Sequence, residues 1–452
     1  MYEILVPAVS RGMTNLAPPS DRPPDVAIRY GFPASTLLAV DVEAILRTVG
    51  LVLAVGLIAV PIAQALRLPV MVVLIAVGLV CGPSALDLVS VPLDSAGPSL
   101  LFSLGVALIL FHGALGISVR VISQTAVGLL LLAIPGVMIT AGILALAVMP
   151  LFGVSWQIAL MAGAVLAATD PAILIPLFDR LGLRPKIAQT VIAESALNDP
   201  MSAVFALTMA GIVTAATVAG TNDSAYTPAI DFLTSIGIGV AIGVVAGALM
   251  AILLSTHRFG VLRALPAATL LALLALSYSF SEVAGGSPYL AAFIAGLIVS
   301  NKDLLRVDHD QEEETQLAIF TAQTADIVML AIFVVVGINL NLDLLRQYLL
   351  PGLAVMAVFV LIARPVTVFA CLTADRRGAW TRQEKTFISW CRETGVVPIS
   401  VASLLVSEHV AGADIVLALV TFAVVVTLLL QATTAGWLAG RLGLLEDAPD
   451  LL

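Results

Sequence analysis

The stretch Glu194-Ser195-Ala196-Leu197-Asn198-Asp199-Pro200 sets two carboxylates, a hydroxyl and a carboxamide within two helical turns of an otherwise apolar run. Glu194 and Asn198 are four apart and share a helix face; Ser195 and Asp199, also four apart, form the adjacent ridge. Ala167-Ala168-Thr169-Asp170-Pro171 lies upstream, and Pro171 removes a backbone donor inside another apolar run. Carboxylate, hydroxyl, amide and freed carbonyl oxygens suit a small, hard cation. A single cation, Arg364, lies deep in a third apolar run and needs an anion, with Glu194, Asp199 and Asp170 as candidates. Arginine stays protonated, so its partner is locked in an ion pair and another carboxylate is left to hold a proton or a metal ion.

The elements that must position these groups are membrane helices. Of 452 residues, 60% are hydrophobic and 11% charged, against about 25% charged in soluble domains. A water-soluble fold of this length cannot cover its surface with so little charge. That excludes a cytosolic enzyme, a nucleic-acid binder and a disordered scaffold. The apolar runs are helix-length rather than the short alternating segments of a membrane barrel. The net charge of −9 gives no reason to expect a polyanionic partner, and Cys81, Cys371 and Cys391 have no metal or disulfide spacing.

Apolar segments are predicted near 44–66, 69–86, 98–117, 124–151, 155–179, 187–218, 229–255, 265–284, 287–301, 317–338, 350–373, 384–407 and 413–440, about thirteen membrane spans in all. Residues 1–42 read as a flexible Pro-rich tail without the layout of a signal peptide, extended in part by an over-long gene start. The transmembrane domain is set at 43–442, and 443–452 is a short C-terminal tail. With alternate loops on alternate sides, one side collects Arg67, Arg120, Arg180, Arg184, Lys186, Arg258, Arg263, Lys302, Arg306, Arg376, Arg377, Arg382, Lys385 and Arg441. The other holds Arg346 and the tail arginines. The basic side is the cytoplasm, which puts the C-terminus inside and the N-terminus outside.

Two segments are internally broken. Segment five breaks at Asp170-Pro171, and segment twelve reads Arg392-Glu393-Thr394-Gly395-Val396-Val397-Pro398. They lie an odd number of segments apart, so they cross in opposite directions. That is the pattern of an inverted repeat, 44–218 against 265–440 with 229–255 as linker, and paired broken helices point to a transporter site at the midplane. Asp170, Glu194, Asp199 and Arg364 would lie roughly 15–20 Å from an interface, where an ionisable group costs several kcal/mol unless paired or wetted.

These residues carry a resemblance. The chain is similar to the NhaP-type branch of the monovalent cation/proton antiporters, the cation:proton antiporter-1 family. The likeness rests on Thr169-Asp170-Pro171, Glu194-Ser195 with Asn198-Asp199-Pro200, Ala363-Arg364-Pro365 and the run from Glu282 to Asn301. It implies an all-helical inverted repeat with a dimer domain and a mobile core domain, working as a homodimer in the inner membrane of a prokaryote and serving pH homeostasis. It implies that Asp199 carries the ion or proton, that Ser195, Thr169 and Asp170 help bind it, and that Glu194 pairs with Arg364. Asn198, Pro171 and Gly395 would support the breaks. Asn198-Asp199 resembles the electroneutral class. No cofactor is implied; the ligands are H⁺ and Na⁺ or Li⁺, with K⁺ left open.

Two departures stand out. Phe111-His112-Gly113 has histidine where relatives commonly carry an acid, and Arg392-Glu393-Thr394-Gly395 stands where many carry Leu-Arg-Gly. His112 would pack at a helix end or titrate; Arg392 and Glu393 would pair with each other or face a funnel. A passive channel, an organic-anion symporter and an intramembrane protease fit less well. There is no filter loop, three acids face one arginine, and no Gly-x-Gly-Asp pattern is present.

Overall fold

The computed structural model describes residues 42–66, 68–117, 126–169, 178, 182–219, 226–256, 260–305 and 311–445. The Pro-rich tail up to residue 41, the loop arginines Arg67 and Arg120, Asp170 with Pro171, and residues 446–452 lie outside the described residues. The chain divides into two units, Met1–Arg47 and Thr48–Leu452, and the architecture is that of the second.

Every apolar segment read from the sequence carries a helix. Among the described residues, nine helices are long and apolar enough to cross a membrane, and four shorter apolar ones join them: Val70–Cys81, Trp156–Leu166, Pro288–Ser300 and Val396–Ser407. In chain order the helices are α1 (Val42–Leu66), α2 (Val70–Cys81), α3 (Ala96–Leu115), α4 (Ala126–Ala133), α5 (Pro135–Phe152) and α6 (Trp156–Leu166). Then come α7 (Pro185–Ala219), α8 (Tyr226–Leu253), α9 (Pro266–Val283), α10 (Pro288–Ser300), α11 (Gln311–Ile338) and the short α12 (Leu342–Gln347). The last are α13 (Leu349–Val358), α14 (Arg364–Ala374), α15 (Arg382–Trp390), α16 (Val396–Ser407), α17 (Ala413–Val426) and α18 (Thr433–Arg441). Large apolar side chains stand on the outside: Leu146, Val283 and Leu350 are 75%, 85% and 79% exposed. Hydrocarbon as solvent accounts for that surface.

Local chemistry explains where helices stop. Segment four, read as one span, is divided at Ile134 because Pro135 opens α5 and cannot donate back into α4. Segment eleven also carries a proline, yet stays wound. Before Pro365 the chain widens over Phe359–Ala363, where the Arg364 N–H reaches back five residues to the Phe359 carbonyl. This wide turn absorbs the clash a proline imposes. A second wide turn, Thr427–Ala432, joins α17 to α18. α15 starts on a capping box: the Glu384 backbone N–H donates to Thr381 Oγ1 and the Thr381 N–H to Glu384 Oε2. Lys186 at the start of α7 holds the same Glu384 at 3.2 Å and sits over the Trp380 ring.

One group of helices is packed through glycine. Gly239, Gly243 and Gly247, one turn apart on α8, face the backbone carbonyls of Ser287, Ala291 and Ala295, one turn apart on α10 and its cap. A Cβ at any of the three would stand 2.6–2.8 Å from its carbonyl. Gly296 on the other side of α10 abuts the Phe111 carbonyl of α3, and Gly78 of α2 meets Gly337 of α11. Membrane helices without a hydrophobic force between them associate by such close approach. Segment 287–301 is short because it is an inner helix between α8 and α3. Gly78→Ala tests the packing: its Cβ would run into the Val334 carbonyl, so a loss of about 1–3 kcal/mol is expected, read as a lower melting temperature of the purified protein.

Candidate functional site

α6 begins on Ser155, whose hydroxyl accepts the Ile158 N–H, and ends at Leu166; Ala167, Ala168 and Thr169 leave the helix while still buried. α7 runs beside this end, and Ser202 donates to the Ala164 carbonyl at 2.5 Å, pinning the last turn of α6. The freed backbone finds its partners on α7. The Thr169 N–H donates to Asp199 Oδ1 at 3.0 Å and to Asn198 Oδ1 at 3.3 Å. Thr169 Oγ1 donates to Ser195 Oγ at 2.9 Å and accepts from Asn198 Nδ2 at 2.8 Å. Thr169, Ser195, Asn198 and Asp199 are 5%, 3%, 1% and 7% exposed, so this is a dry cluster with Asp199 its least buried member.

Four of the site residues read from the sequence thus converge on one point. Asp170 and Pro171 lie outside the described residues. Glu194 does not reach the break, although it shares a face with Asn198. Its carboxylate turns to Arg364, with Nη1–Oε1 2.5 Å and Nη2–Oε2 2.7 Å, both side chains 2% exposed. That two-pronged geometry is the strong form of an ion pair. Arg364 Nη2 also donates to the Ile388 carbonyl in the last turn of α15, at 3.3 Å. The guanidinium therefore ties α7, α14 and α15 at one point. The wide turn before Arg364 sets the rotation that aims it there.

The second break spans residues 391–395, all buried, with Gly395 at its end as the cap of α16. The second wide turn satisfies its backbone from one side: Thr427 Oγ1 accepts the Thr394 N–H at 3.0 Å, and Gln431 Nε2 donates to the Trp390 carbonyl at 2.7 Å. Arg392 and Glu393 face no funnel; they are 3% and 0% exposed. The Arg392 guanidinium crosses to the first break and donates to the carbonyls of Leu166, at 3.3 Å, and Ala167. It also lies over the Phe359 ring, 5.2 Å from its centre. His112 stands apart from this cluster, with Nδ1 3.0 Å from Thr321 Oγ1, joining α3 to α11.

Sequence reasoning missed Thr427 and Gln431. The signal was there: a carboxamide one turn after a hydroxyl in the most apolar run of the chain. It also missed the Thr140–Thr367 hydroxyl pair at 2.9 Å between α5 and α14. Chemically, the first cluster offers a carboxylate, two hydroxyls and a carboxamide to one point, all oxygen donors of the kind hard monovalent or divalent cations take. A carboxylate there can alternatively hold a proton. Around it, two charged side chains are closed on each other and a third is spent on carbonyls.

A family profile described as sodium/hydrogen exchanger, transmembrane, matches residues 50–440. Among curated proteins, a K(+)/H(+) antiporter NhaP2 of Shewanella sp. (strain MR-4) is 28% identical over 400 residues, covering 86% of this chain and 66% of its own length. A low-affinity Na(+)/H(+) antiporter NhaS1 of Synechocystis sp. is 29% identical over 393 residues, covering 85% of this chain and 72% of its own length. The chain thus spans about two thirds of the curated K(+)/H(+) relatives it matches. Among solved structures, the sodium proton antiporter MjNhaP1 from Methanocaldococcus jannaschii at pH 8 superposes with a TM-score of 0.74 at 25% identity, over 88% of this chain and 98% of that one.

Proposed function

The chain belongs to the sodium/hydrogen exchanger family, and from that premise we propose that it is a secondary antiporter exchanging one monovalent cation for one proton at Asp199. The observation that carries the reading is the meeting of Asp199, Ser195 and Asn198 with the broken backbone at Thr169. A proton and a cation compete for the Asp199 carboxylate, and alternating access of that one site to the two sides is enough to couple their movements. Ser195 and Thr169 supply hydroxyl ligands, and Asp170 completes the set.

Charge counting supports an electroneutral cycle. Asn198 does not titrate, and Glu194 carries the countercharge of Arg364 in a two-bonded pair. Asp199 is then the group that changes protonation, and loading one cation displaces one proton. In vesicles under a potassium–valinomycin potential with Na⁺ as test ion, the exchange rate is expected to stay nearly constant. No net charge moves, so the ~2.3 kcal/mol per charge per 100 mV has nothing to act on. Strong acceleration or reversal by voltage would mean a second titrating group, Asp170 or His112 first. Absence of cation-driven proton flux for Na⁺, Li⁺ and K⁺ alike would sink the antiport reading itself.

A K⁺/H⁺ exchanger is the second reading, favoured by the likeness to the Shewanella K(+)/H(+) antiporter NhaP2. The repeat boundaries 44–218 and 265–440, with the linker at 229–255, belong to the proposal. So do a homodimer, residence in the inner membrane, a cytoplasmic C-terminus and an outer N-terminus. The loop arginines support the last two; the resemblance supports the homodimer.

A further inference from the structure

A buried guanidinium holds the carbonyl end of each broken helix. Arg364 donates to Ile388 at the end of α15, and Arg392 donates to Leu166 and Ala167 at the end of α6. Arg392 reaches across from the second break to the first, whereas Arg364 comes from α14, the helix next to α15. Helix C-termini carry a partial negative charge of about half a unit, and in transporters the carbonyl ends of half-helices are where coupling cations are coordinated. The two arginines differ in one respect. Arg364 brings its own carboxylate, Glu194. The hydrogen bonds of Arg392 go to carbonyls, its Nε has no hydrogen-bond partner, and its flat face rests on Phe359. The carbonyls it fills are two and three residues before Thr169, whose N–H is on Asp199. Arg392 is also within electrostatic range of Asp199.

We infer that Arg392 is a tethered cation that sets the cation affinity of this site. It occupies the carbonyl end of α6, where a transported ion would otherwise draw ligands, and its charge opposes a second cation at Asp199. The transported ion is left with the Asp199, Ser195 and Thr169 side of the break. Arg392 is thus a specificity-determining, positioning residue. The identity of the carried ion rests on the antiport reading; the effect on binding does not.

The test is binding of radiolabelled Na⁺ to the purified full-length protein at mildly alkaline pH, where protons compete least, together with the KM and kcat of vesicle exchange. R392Q is expected to bind Na⁺ roughly thirty-fold tighter, the size of effect one unit charge exerts at ~8 Å with an effective dielectric near 20. Its exchange KM should fall in step. R392K keeps the charge and should bind within about two-fold of wild type. A merely structural Arg392 would instead lower the melting temperature and kcat at unchanged affinity, and that result overturns the inference. No Na⁺ binding in either wild type or R392Q overturns it too. If R392Q does not fold, R392M, which removes the charge and keeps an apolar stem beside Phe359, decides: tighter Na⁺ binding upholds the inference, and unchanged affinity overturns it. Wild type that binds Na⁺ but exchanges nothing would sink the antiport reading and leave this one standing.

Discussion

Asp199→Asn is expected to abolish exchange in a protein that still folds. The carboxylate is the only group in the Thr169 cluster that can trade a proton for a cation among the described residues. An asparagine oxygen still accepts the Thr169 N–H, so the tie between the first break and α7 survives. A neutral acceptor replaces a charged one, which costs about 1 kcal/mol, and its melting temperature should change little. Flux should fall to the background of empty vesicles for every monovalent cation. Exchange at near wild-type rates in this variant would place the coupling carboxylate elsewhere and end the proposed mechanism.

Arg364→Ala should be the most destabilising single substitution in the core. Removing one partner of a buried pair leaves an uncompensated charge and costs about 3–5 kcal/mol. Here the loss is compound: Glu194 is 2% exposed, and the Ile388 carbonyl loses a donor. Melting of the purified protein in detergent reads this directly. Replacing both partners, with Arg364→Met and Glu194→Gln together, should recover a large part of the loss, because no unpaired charge remains. If Arg364→Ala melts like wild type, the pair contributes nothing to holding α7 against α14.

Much of this site was legible because a charge inside an apolar run needs a reason. Glu194, Asp199 and Arg364 announced themselves that way, and the four-residue spacing of Ser195 and Asp199 put both beside Thr169 as expected. For Glu194 the residues alone left Arg364 with three candidate acids, and the resemblance implied the pairing with Arg364 that the structure shows. Arg392 shows a limit. Local sequence offers it Glu393 or an open funnel, whereas its guanidinium lies on carbonyls in the other half of the chain. His112 likewise finds Thr321, a partner 209 residues away that no local pattern could supply. Helix positions were read within a few residues because hydrocarbon thickness fixes their length. The two wide turns went unseen, although Pro365 was a cue that ordinary winding could not continue through Arg364.

Those turns make chain length itself part of the site. Each holds one residue more than a regular helix needs, and the surplus is what points Arg364 at Glu194 and sets Thr427 and Gln431 against the second break. Deleting a single residue between Phe359 and Ala363 would let the segment wind regularly with the helices on either side still in their present orientation, because the surplus residue is what the wide turn absorbs. Keeping every residue but winding the turn regularly would instead swing Arg364 by roughly 100° away from Glu194. A relative one residue shorter at either place would therefore aim its buried arginine the same way without a wide turn.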